Sequence, residues 1–94
     1  MKVIISVAAN NEYREACDWY NAQKTGLGRE LRKEIKATLK RVKRFPFFNT
    51  EIDPGYYAAY VKIYPYKIIY KVDGDVILVL AYAHLSREPN YWQG

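Results

Sequence analysis

"YYAAYVKIYPYKIIYKV", residues 56–72, carries six tyrosines and three lysines in seventeen residues. Its aromatic and β-branched content reads as strand. Pro65 interrupts the run, because proline lacks a backbone donor and fixes its own φ. The stretch therefore divides into one strand over 56–63 and another over 66–72. Side-chain alternation sorts the first of these strands. Tyr57, Ala59, Val61 and Ile63 fall on one face, and Tyr56, Tyr60, Lys62 and Tyr64 on the other. The first set is the more apolar and is expected to meet the core. The second mixes aromatic planes with a cation, a surface able to stack on bases or to accept a partner's hydrophobic segment. A core strand of Val, Ile and Leu would need no such phenols, so the question is whether this hairpin packs or binds.

The flanks complete a fold. Asp73-Gly74 is a tight-hairpin signal. It leads into Val76–His84, "VILVLAYAH", which is apolar at successive positions and reads as a central strand covered on both faces. Upstream, Lys2–Val7 reads as a short strand. Asn10 or Asn11 is a candidate cap for a first helix, whose apolar face is Tyr13, Ala16, Cys17 and Tyr20. Gly26 suits a left-handed position at that helix's end. A second helix is expected over 27–44, with Leu27, Leu31, Ile35, Leu39 and Val42 as its stripe and a basic end, Lys40 to Arg44, that complements the helix dipole. Residues 45–55, with Pro46 and Pro54, read as a loop, and residues 85–94 as an irregular tail. The expected class is α+β: β-α-α-β-β-β, an antiparallel sheet covered on one face by a helical hairpin.

Ninety-four residues suit a single domain, 1–94. Lys plus Arg number 15 against 10 Asp plus Glu, a net charge of +5 that is compatible with a polyanionic partner and equally with a solvated basic face. The single cysteine excludes an intramolecular disulfide and a cysteine-rich zinc site. No run is long enough to span a membrane, and residues 1–9 lack a signal peptide's layout. A cytoplasmic protein without metal or small-molecule cofactor is expected. Trp19 reads as packing within the helical hairpin.

Five segments, in this order, resemble the RelE/ParE toxin superfamily of bacterial type II toxin–antitoxin systems, including its plasmid stabilisation members. They are "EACDWY" (15–20), "GLGREL" (26–31), "YPYKIIYKV" (64–72), "VILVLAYAH" (76–84) and "REPNYW" (87–92). The resemblance implies a growth-inhibiting toxin neutralised by a cognate antitoxin. It implies either ribosome-dependent mRNA cleavage, as in RelE, or poisoning of DNA gyrase, as in ParE. A cleavage site would draw on Lys67, His84 and Arg87 for acid–base work and charge stabilisation, with Tyr66 or Tyr91 as aromatic partner. Tyr60, Lys62, Tyr64, Tyr66 and Tyr91 are the expected nucleic-acid or partner contacts. The chain departs from the superfamily after Gly55. Relatives place one or two arginines there, whereas Tyr56, Tyr57, Ala58 and Ala59 follow here. A degenerate, non-toxic member that binds antitoxin or RNA is the alternative. His84 and the two lysines also have plain structural readings: a histidine bonded to the tail, and solvent-facing strand cations that discourage edge pairing.

Overall fold

The computed structural model describes residues 1–93. Five strands form one sheet, β1 (Lys2–Ile5), β2 (Thr50–Asp53), β3 (Tyr56–Tyr60), β4 (Tyr66–Asp73) and β5 (Val76–His84), in the order β1-β5-β4-β3-β2. Two helices, α1 (Val7–Gln23) and α2 (Leu27–Arg44), form a hairpin on one face, and a 3₁₀ turn over Tyr91–Gln93 ends the described chain. The α+β layout is as expected, with two corrections. First, the sheet is mixed, because β1 runs parallel to β5, pairing Lys2 with Val76 through Ile5 with Val79. Second, the expected loop over 45–55 holds β2, which pairs antiparallel with β3 around a turn where Gly55 has φ 82°. That positive φ requires glycine, and its N–H donates to the Glu51 carboxylate at 3.0 Å.

The helical hairpin closes through a glycine contact. Gly26, at φ 96°, caps α2, and its N–H donates to Asn21 Oδ1 at 2.9 Å. At Gly28 a Cβ would lie 2.5 Å from the Cys17 carbonyl oxygen, so only glycine lets the helices approach this closely. α1 starts earlier than Asn10 or Asn11 would place it. Ser6 is its cap, with Oγ accepting from the Ala9 N–H at 3.1 Å, and both asparagines lie exposed within the helix.

The core lies between helices and sheet. Ala9, Ala16, Cys17, Leu31, Ile35 and Val42 meet Ala59, Val61, Ile68, Tyr70, Ile77, Val79 and Tyr82. β5 carries a bulge opposite Ile69 and Tyr70. Leu80 and Ala81 therefore both contribute to a smaller cluster on the far face, with Ile69 and Ala83. Tyr91, Trp92 and Ile52 pack on that cluster, so β5 is central and covered on both sides as its composition implies. No described helix is long and apolar enough to cross a membrane.

The tyrosine-rich hairpin mostly packs. Tyr70 is fully buried; its hydroxyl donates to the Pro46 carbonyl at 2.6 Å and accepts from Asn49 Nδ2 at 2.8 Å. Tyr57 stacks on Tyr70, while Tyr64 and Tyr66 both meet Tyr20 edge-on. Tyr56 tilts against Trp92. Only Tyr60 of the six is largely open to solvent, at 50%. Two sequence-based assignments to faces change. Strand pairing stops at Tyr60, and Ile63 takes φ 74°, a left-handed conformation that breaks the alternation. Ile63, expected on the core face, is 87% exposed. Tyr64, expected on the binding face, turns to the helices, where its hydroxyl donates to Glu30 at 3.2 Å.

Candidate functional site

β5 outruns β1. Beyond Val79 its edge has no strand partner, and side chains of the first helix region serve that edge instead. The Ser6 hydroxyl donates to the Leu80 carbonyl at 3.3 Å. Glu12 Oε1 accepts from the Tyr82 N–H at 3.1 Å. The other Glu12 oxygen accepts from the Tyr91 hydroxyl at 2.5 Å, so one carboxylate ties strand, helix and tail together. A buried amide left without a partner would cost free energy, which explains a carboxylate on the helical stripe Glu12–Ala16–Trp19. Sequence reasoning misses Glu12; its only signal is that spacing beside the apolar face.

Between α1 and the end of β5 opens a cleft of about 250 Å³, lined by Glu12, Glu15, Trp19, Tyr66, His84 and Arg87 among others. Trp19 is 58% exposed and stands edge-on to Tyr20 at the cleft wall, so it does not pack within the hairpin as its position suggested. Tyr66 and His84 are cross-strand partners whose rings meet edge-on at 5.1 Å. The Ser86 N–H donates to His84 Nδ1 at 3.0 Å. A backbone amide can only donate, so this bond places the ring proton on Nε2. Burial raises the Tyr66 and Tyr91 hydroxyls above their ordinary range, Tyr91 with help from the Glu12 carboxylate. Both are neutral phenols at pH 7 and act as donors rather than bases.

The expected catalytic residues meet only in part. Strand alternation puts His84 on the helix side and Lys67 on the open face, where Lys67 pairs with Tyr60 and Ala83. Arg87, in the tail, lies 3.9 Å over the Tyr91 ring and borders both sides. All three line a gap under the tail of only about 10 Å³, too small for a nucleotide. Lys62 is exposed in the turn after β3. The far face of β3 carries Tyr56, the buried Ala58 and Tyr60; its own strand supplies no cation, and the nearest are Lys67 and Lys71, cross-strand on β4. Among the described residues, no group of three or more His, Cys, Asp or Glu is placed to hold a metal ion.

No family model matches the chain, and no curated protein matches it. Among solved structures, a chain of the "Chromosomal ParDE TA system from P. aeruginosa" superposes with a TM-score of 0.79 at 15% identity, covering 89% of this chain and 95% of that one.

The fold is that of this ParDE-system chain.

With 89% of the chain covered, most of the helical hairpin and most of the sheet lie within the superposed length. At this identity the likeness is one of architecture. Within this fold, the Glu12–Tyr91 tie and the Arg87–Tyr91 contact fix the tail against the sheet.

Proposed function

We propose that this chain is the toxin of a type II toxin–antitoxin pair and that it acts by binding its target rather than by cutting RNA. The fold it shares with a chain of a ParDE system supports the first half of this reading. The observation that carries the second half is the open face of β3. In-line attack by a 2′-hydroxyl needs cations beside the phosphorane. Here Tyr56, Ala58 and Tyr60 occupy the strand that would supply them, and Lys67 sits beside a tail bolted down by Glu12. A ParE-like mode, in which DNA gyrase is bound and poisoned, asks for no such constellation. The partner is a cognate antitoxin whose acidic segment folds as it binds the basic toxin.

Expression of the chain together with its neighbouring genes tests the pairing. A small acidic protein should co-purify with it and should restore the growth that the chain alone arrests. Recovery of the chain alone at micromolar concentration, together with normal growth on its induction, would leave the non-toxic binding module as the correct account.

A further inference from the structure

The end of α2 and the segment after it form a surface that the cleft does not use. Lys40, Arg41, Lys43 and Arg44, with Ala37, line a shallow groove of about 490 Å³ that contains no carboxylate. Phe45, Phe47 and Phe48 follow at once, exposed by 45%, 60% and 83%. Cations in a helix's last turn are explained by its dipole, but that leaves the phenylalanines unaccounted for. A phenylalanine kept in water forgoes the free energy of its burial. Nor is the segment loose. The buried Tyr70 hydroxyl bonds both the Pro46 carbonyl and the Asn49 amide, and Phe47 stands edge-on to Tyr57. Phe45 and Phe48 stack with centroids 5.3 Å apart, and the Arg44 guanidinium lies 5.4 Å from the Phe45 ring. The outer face of Phe48, backed by Phe45, is thus presented from a fixed base beside four cations.

We infer that this surface binds single-stranded nucleic acid, with a base stacking on the open face of Phe48, which Phe45 backs, and phosphates following Lys40, Arg41, Lys43 and Arg44. Charge complementarity makes the ligand a polyanion, and the exposed ring faces make it one with free planar bases. In a duplex the bases are already stacked on each other and reach no ring. A peptide helix would need an aliphatic trough, and the apolar floor of this groove is Ala37 and the stems of the cations. The inference is independent of the toxin reading, since the surface shares no residue with the cleft.

Fluorescence anisotropy with the purified full-length chain tests it, using labelled 12-mers of U and of dT, a 12-base-pair duplex and anionic phosphatidylserine vesicles. Both single strands should bind with similar affinity, because neither stacking nor phosphate contact reads the 2′-hydroxyl, and at least tenfold more tightly than the duplex. A stacking contact is worth ~5–150-fold by alanine substitution, so Phe48→Ala should weaken binding about tenfold without changing the salt dependence. Lys43→Gln with Arg44→Gln should lower the slope of log affinity against log salt by roughly 0.7 for each phosphate no longer neutralised. Ile63→Gly, on another turn, should change neither. Equal affinity for duplex and single strand, an unaffected Phe48→Ala protein, or binding to the vesicles alone would each overturn the assignment.

Discussion

Glu12 links helix, strand and tail through one carboxylate, since it accepts both the Tyr82 N–H and the Tyr91 hydroxyl. Glu12→Ala strands two half-buried donors and should cost about 1–3 kcal/mol in urea unfolding. Glu12→Gln keeps an acceptor and should cost less. Burial raises the Tyr82 hydroxyl, and burial with the Glu12 bond raises that of Tyr91, both from an ordinary value of 10.0. A raised folded value favours the neutral phenol in the native state. The associated stability is therefore complete below about pH 10 and is lost as pH climbs towards the folded values. Tyr91→Phe should lose the Glu12 bond at neutral pH and show a shallower loss of stability in alkali, measured as urea midpoints from pH 8 to 11. Ile63 is a different case. A β-branched residue at φ 74° is strained, and Ile63→Gly should raise stability by about 1 kcal/mol in the same assay. Neither role was legible in the sequence. Alternation along a continuous strand put Ile63 in the core and Tyr64 outside, because nothing in "YVKIYP" announces a left-handed residue. Glu12 reads as one more helix-surface carboxylate until the end of β1 leaves β5 short of partners.

The elements themselves were largely readable. α2 spans the expected residues, because its stripe of leucine, isoleucine and valine lies among charges at a helical period and Gly26 precedes it. β4 and β5 declare themselves by β-branched and aromatic density around Asp73-Gly74, where Gly74 takes φ 58° and Asp73 pairs with Val76. β2 escaped because "TEID" is a four-residue polar edge strand, too short and too acidic for alternation to show. The parallel pairing of β1 with β5 is a long-range relation that no local pattern records. The early start of α1 was missed because Asn10 and Asn11 are competent caps, while Ser6, the cap that is used, was read within the first strand. The link between helices supplies the test at this scale. At Gly28 a methyl group would press to 2.5 Å from the Cys17 carbonyl oxygen and 3.1 Å from Asn21 Cβ. The ~1 kcal/mol that alanine offers over glycine in a helix is outweighed by an overpacking cost of about 1–3 kcal/mol. Gly28→Ala should lower the melting temperature by several degrees (roughly 4–8 °C for each kcal/mol of net loss), read by circular dichroism.

At the scale of the whole molecule, architecture and chemistry separate. A fold shared at 15% identity fixes architecture and not chemistry, so the decision falls to which side chains it brings together. His84 was readable as the one histidine at a strand end, and Arg87 as a cation in the tail. Their relation to Lys67 was not, because it depends on which face of β4 each residue's partner takes. The structure sets Lys67 and His84 on opposite faces, ties the His84 Nδ1 to Ser86, and leaves β3 without a cation. If the chain cut mRNA with His84 as acid or base, His84→Gln would reduce growth inhibition and cleavage by about 100-fold or more. If it acts by binding, the same variant should arrest growth nearly as well as the parent, since the ring's contacts are with Tyr66 and Ser86. Induction of the parent chain should then leave ribosome-bound mRNA intact by primer extension, while DNA breaks accumulate. Efficient cutting of that mRNA by the parent and loss of cutting in His84→Gln would reverse this conclusion. They would make the cleft between α1 and β5, with Arg87 as its cation, the centre of a ribonuclease.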